Sequence, residues 1–142
     1  MADKTKIVLI GAGSAQFGIS CLRDAFCHPG IFGNHLVFMD INEINLNRIV
    51  KIAVRMNKEL KACFKISSAT NLEDALPDAD FVITSIAVDR NEMWKQDFMV
   101  PKKYGVRHVL GENGGPGAVF HTLRTEEFLL KKSFYAMAIR PL

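Results

Sequence analysis

Lys6-Ile7-Val8-Leu9-Ile10-Gly11-Ala12-Gly13-Ser14-Ala15-Gln16 decides how this chain folds. The apolar run KIVLI is too short for a helix and carries no polar alternation, so it reads as a strand buried on both faces, as in a parallel sheet. Gly11 ends it. Gly11 permits a tight turn, and Gly13 lets backbone approach a phosphate closely. Ala15 to Cys27 then reads as a helix whose first N–H groups point at an anion. The third position of the G-x-G-x-x-G pattern is Gln16, and a further glycine stands at Gly18. Taken alone, this pattern is weak.

Working outward, the same grammar recurs. His35–Met39 (HLVFM) is a second buried strand, ending at Asp40. From Asn42 to Ala62 the apolar residues fall at helical spacing. Phe64–Ser67 is a short strand, Asn71–Leu76 a helical turn or two, and Phe81–Ala87 a fourth strand. Asn91–Tyr104 is helical, with Pro101 inside it. Arg107–Leu110 is a brief fifth strand, and Ala118–Ala138 a closing helix. Strands alternating with helices imply an α/β fold: a Rossmann-like, doubly wound parallel sheet of about five strands with an incomplete second half. Right-handed crossovers put the strand C-termini on one edge, where ligands bind. The closing helix conflicts with itself. Its core stripe would run through Leu123, Glu127, Leu130, Phe134 and Met137, and a carboxylate interrupts it.

Composition bounds the partners. The chain has 142 residues, 49% hydrophobic and 23% charged, enough for one domain and not the profile of a disordered chain. No apolar run approaches the length of a membrane span, and MADKTK leads directly into the first strand, so a cytoplasmic protein is expected. The formal charge of +3 is scattered, densest at Lys131, Lys132 and Arg140, and forms no stripe for nucleic acid. The three cysteines, Cys21, Cys27 and Cys63, lack C-x-x-C spacing and read as reduced thiols packed as small buried hydrophobes.

Three loops on the ligand edge carry the candidate chemistry. Asp40, at the end of the second strand, is placed to accept hydrogen bonds from the adenosine ribose and to repel a 2′-phosphate, which favours NAD over NADP. The alternative is a simple cap on the following helix. After the fourth strand, Ala87 would let a cofactor pass closely, and Asp89, Arg90 and Asn91 bring polar side chains to the edge. Asp89 or Asn91 could instead cap the next helix, and Trp94 suits packing better than a sugar platform. Gly111-Glu112-Asn113-Gly114-Gly115-Pro116-Gly117-Ala118 is too glycine-rich to serve a core and is costly to order. It is either a ligand loop, with Glu112 and Asn113 facing substrate or its metal, or a mobile surface turn. His121 is read as structural.

Together these loops resemble the NAD- and metal-dependent glycosidases of glycoside hydrolase family 4. The resemblance runs over about residues 5 to 125 and rests on KIVLIGAGS, Asp40, Ile86–Met93, and GENGGPGA followed by Leu123-Arg124-Thr125. It implies that Gly11, Gly13, Ser14, Gln16, Asp40 and Ala87 hold NAD, and that Arg90, Glu112 and Asn113 face the sugar. It also implies a redox route to hydrolysis: hydride transfer from C3 of the glycoside to NAD, loss of the C2 proton, elimination of the aglycone, addition of water and return of the hydride. A divalent metal, manganese, steadies the enediolate. Members that act on phosphorylated sugars carry Arg where this chain has Trp94, so an unphosphorylated α-galacturonide or α-glucoside is the expected substrate.

The family's catalytic base and its metal-binding Cys and His belong to segments that these residues do not match. No catalytic or metal residue is therefore assigned within the chain. Residues 1–125 are read as the NAD-binding domain and 126–142 as a divergent helical tail. A truncated, frame-shifted or fragmentary product is expected, inactive alone and prone to homo-oligomerise. The alternatives are an NAD-dependent dehydrogenase of the lactate/malate type, to which GENGGPGA is foreign, and a non-catalytic nucleotide-binding module.

Overall fold

The structure is a computed structural model that describes residues 4–109 and 114–126. These fall into two compact units, residues 4–85 and 86–126.

The first unit holds β1 (Lys6–Ile10), α1 (Phe17–Cys27), β2 (His35–Met39), α2 (Glu43–Glu59), β3 (Lys65–Ala69), α3 (Leu72–Ala75) and β4 (Phe81–Thr84). Its sheet is four-stranded and parallel, in the order β3-β2-β1-β4. The chain thus reverses direction across the sheet at β1, between β2 and β4, which is the switch point where doubly wound folds bind ligands. β1 and β2 are central, and Val8, Leu9, Ile10, Leu36, Val37, Phe38 and Met39 are all buried, as their unbroken apolar runs require. α1 contributes Leu22 and Phe26 to the core, and α2 contributes Leu46, Ile49 and Ala53. Phe26 and Phe32 meet the ring of Phe64 edge-on.

Helix starts follow side-chain chemistry. Asn42 caps α2 by accepting the Asn45 N–H at 3.1 Å, and Asn71 caps α3 by accepting the Asp74 N–H at 2.8 Å.

The second unit holds α4 (Arg90–Lys103) and α5, helical over residues 115–126. Pro101 does not split α4. It lies near the C-terminal end, where the helix is already closing, and its carbonyl accepts from Tyr104 and Val106. That last bond ties Val106 back to the helix end. Residues 106–108 adopt no regular structure, so among the described residues the fifth strand expected over Arg107–Leu110 does not form. Arg107 and His108 leave too short an apolar run to build one, and Leu110 lies outside the described residues. The described part of α5 turns Gly117 and Thr125 inward and leaves Leu123 60% exposed, so its buried face is not the one the apolar spacing predicts. Glu127 and the rest of that stripe lie outside the described residues, as does most of the tail 126–142.

The cysteines correct another expectation. Cys21 is half-buried, but Cys27 and Cys63 are exposed. Cys27 is the last residue of α1. Cys63 sits in a left-handed turn, where its thiol donates to the Lys61 carbonyl at 3.4 Å.

Candidate functional site

The turn after β1 is built over the end of β2. Gly11, at φ +80°, and Ala12 both donate their N–H groups to the Met39 carbonyl, at 2.9 and 3.1 Å. Gly13 then donates its N–H to Asp40 Oδ2 at 2.8 Å. A Cβ on Gly13 would stand 2.8 Å from that same oxygen and 2.9 Å from Asn45 Cβ, so only glycine fits here. The other carboxylate oxygen, Oδ1, accepts the Asn42 N–H at 2.8 Å. Asp40 therefore locks two loops together. It is not the cap of α2, since Asn42 fills that role. Each carboxylate oxygen keeps lone-pair capacity for a hydroxyl donor.

Ser14 begins the approach to α1. Its Oγ accepts the Phe17 N–H at 3.2 Å, and its carbonyl accepts from Gly18 at 3.0 Å. Gln16 is the residue before the helix, exposed and without a side-chain cap bond. Among the described residues no acceptor takes the Ala15 or Gln16 N–H, so two backbone donors remain open beside Gly13 at the start of an eleven-residue helix. A glycine turn, open helix N–H groups and a carboxylate within reach of the same backbone suit a dinucleotide: phosphate on the donors, ribose on the acid.

One position that shapes this turn escaped the sequence reading. Gly18 is buried, and a Cβ there would collide with the carbonyl oxygen of Ala12. It is the glycine that lets α1 press against the turn after β1, a task assigned by pattern to position 16. The only signal in the sequence was a glycine two residues out of register.

In the second unit, Ala87 is exposed in an irregular segment and Arg90 opens α4. Asp89 precedes α4 in a left-handed conformation, φ +39°, and makes no side-chain cap bond. Such backbone costs energy in a residue with a side chain. Asp89, Arg90, Asn91, Glu92, Met93 and Gln96 line a shallow, open hollow of ≈ 710 Å³. Trp94 is 40% exposed, so it is not a core residue. Glu112 and Asn113 lie outside the described residues. Gly114 and Gly115, in the middle of the glycine-rich stretch, have φ of +107° and +67°. Among the described residues no three His, Cys, Asp or Glu side chains gather as a metal site.

The chain matches the family described as Family 4 glycosyl hydrolase over residues 6–133. It belongs to family 4. Among curated members it is 45% identical over 121 residues to an alpha-glucosidase of Erwinia rhapontici, covering 84% of this chain and 27% of that protein. It is 30% identical over 120 residues to an alpha-galacturonidase of Thermoanaerobacterium saccharolyticum, covering 84% of this chain and 26% of that protein. Among solved family 4 structures, a 6-phospho-beta glucosidase from Thermotoga maritima, with NAD and glucose-6-phosphate, aligns at a TM-score of 0.79 and 23% identity. That alignment covers 95% of this chain and 31% of the other. A 6-phospho-alpha-glucosidase from gut microorganisms, with NAD and Mn2+, aligns at a TM-score of 0.81 and 19% identity over 97% and 32%. These two likenesses support the Rossmann-like fold. The chain spans about a quarter of the length of the curated family 4 relatives it matches.

Proposed function

We propose that residues 1–125 form the NAD-binding part of a family 4 glycosidase that acts on unphosphorylated α-glycosides, an α-glucoside or α-galacturonide, by oxidation, elimination and addition. The observation that carries this is the Gly13–Asp40 bond, which holds a carboxylate at the mouth of a glycine turn whose next donors are open. In this reading Gly11 and Gly13 shape the turn, Ser14 steadies the start of α1, and Gln16 offers its N–H to phosphate. Asp40 accepts the ribose hydroxyls, and its negative charge disfavours a 2′-phosphate. Ala87 leaves room for the cofactor, while Arg90, Glu112 and Asn113 orient the sugar. Bound NAD would supply the hydride acceptor. The two curated relatives, an alpha-glucosidase and an alpha-galacturonidase, and Trp94 where the resemblance gives phosphosugar members an Arg, support a neutral or uronic sugar.

The test is titration of the chain with NAD by calorimetry. Asp40→Ala is expected to weaken binding about tenfold or more, the effect of losing charge-assisted bonds. Unchanged affinity would remove Asp40 from the ribose site. The isolated chain, assayed with NAD, manganese and a reductant on aryl α-glycosides, is expected to release no aglycone. Turnover would show that the catalytic groups lie within it.

A further inference from the structure

Among the described residues, α4 buries only Asp97 and Pro101, one turn apart on the same face. An ordinary helix sets its register by an apolar stripe fitted into a neighbour's grooves. α4 has none. Its fully buried contact is instead a charge: Arg124 of α5 donates from Nη2 to Asp97 Oδ2, with Asp97 wholly inaccessible and the Arg124 side chain 25% exposed. Among the described residues the buried Asp97 Oδ1 has no hydrogen-bond partner.

Such a pair is a poor source of net stability. Desolvating a carboxylate is costly, one bond recovers only part of it, and well-packed apolar replacements of buried ion pairs are often neutral or stabilising. What a guanidinium–carboxylate bond supplies, and an apolar contact does not, is direction. Each helix it joins begins at a loop with constrained backbone. α4 follows Asp89, held in a left-handed conformation. α5 follows Gly114 and opens at Gly115, where the His108 ring leaves no space for a Cβ. A strained residue persists only where its surroundings over-determine it.

We propose that Asp97 is a positioning residue: through Arg124 it sets the register of α5 against α4, and so holds the Asp89–Arg90 turn and the end of the glycine-rich loop in one mutual geometry. The functional weight of that geometry rests on the reading of these loops as sugar-facing.

The test uses the whole chain and replaces the pair by leucines, Asp97→Leu with Arg124→Leu. The double variant is expected to melt within about 3 °C of the parent. Hydrogen exchange at residues 88–93 and 114–118 should accelerate about tenfold, while β1 and β2 keep their protection. The emission of Trp94, the only tryptophan in the chain and one turn before Asp97, should shift. The swapped pair, Asp97→Arg with Arg124→Asp, should restore much of the loop protection, because it restores a directed bond. Unchanged exchange and emission in the double variant would overturn the proposal. So would a large fall in melting temperature or failure to fold, since the pair would then act through stability alone. NAD titration reports separately on the proposed function. Loss of NAD binding in the parent would sink that reading and leave the register result standing.

Discussion

Gly13, Gly18 and Asp40 divide one task. Asp40 pins the turn after β1 from the β2 side, Gly13 brings its backbone against that carboxylate, and Gly18 brings α1 against Ala12. The last contact is backbone against backbone, so nothing flexible can yield to an added methyl group. Gly18→Ala is expected to destabilise the first unit by about 2–3 kcal/mol, in the range of forced overpacking, read as a lower urea midpoint at unchanged slope. NAD affinity should fall with it, because α1 can accept a Cβ only by withdrawing its N-terminus from the turn. An alanine variant with parental stability would mean that α1 is not seated there. The places of Asp40, just after β2, and Gly13, in the turn after β1, could be read from the sequence because the apolar runs before them mark where each strand ends. Gly18 could not, since its constraint comes from a carbonyl six residues away that becomes its neighbour only after folding.

Strands and helices were legible to the extent that their periodicity was apolar. β1 and β2 stand where unbroken hydrophobic runs put them, and α2 turns Leu46, Ile49 and Ala53 inward at helical spacing. Where burial is polar the reading weakened. α4 and α5 meet through Asp97 and Arg124, residues that any amphipathic reading assigns to the solvent face, and Val106, just before the expected fifth strand, is tied by a bond to the end of α4. The pairing of β2 with its neighbours carries a consequence of its own. His35 is in register with Lys6 on β1 and Lys65 on β3, and its Nε2 meets Ser67 Oγ at 2.7 Å. Burial first, then Lys65, then Lys6, push the imidazole below its ordinary value of 6.5. The folded chain thus keeps His35 neutral where the unfolded chain has begun to protonate. Above pH 6.5 neither state takes the proton and the contribution is complete. As pH falls through 6.5 the unfolded state binds it first, and stability declines until the lower folded value is reached. The urea midpoint should drop across that interval, and His35→Gln should flatten the drop while keeping a partner for Ser67. An equal slope in the variant would assign the pH dependence to other groups.

At the scale of the molecule, the sheet of the first unit is unevenly covered. β1 and β2 are sealed on both faces, yet β4, composed to be sealed in the same way, is exposed at every residue, with Phe81 at 63% and Ile83 at 40%. Among the described residues β4 is also the last strand of the order β3-β2-β1-β4, with no further strand paired to its outer edge. A short parallel sheet that ends in an apolar strand is a template for another chain, and nothing in Phe81-Val82-Ile83-Thr84 carries the charge or proline that blunts such edges. The chain should therefore associate with itself as its concentration rises through the micromolar range, with sedimentation showing species larger than a monomer. Phe81→Lys and Ile83→Lys put charge on one face of this strand without touching the buried core of β1, β2, α1 and α2. They should move the distribution toward monomer while leaving the melting transition and NAD titration nearly unchanged. If the parent sediments as a monomer across that range, β4 is protected by some part of the chain itself. If the lysine variants lose cooperative unfolding, β4 belongs to the core that its sequence describes. The same strand leads directly into the segment that carries Ala87 and Arg90. Self-association through β4 would therefore crowd the residues proposed to meet the cofactor and sugar, and the lysine variants should bind NAD at least as tightly as the parent at high protein concentration.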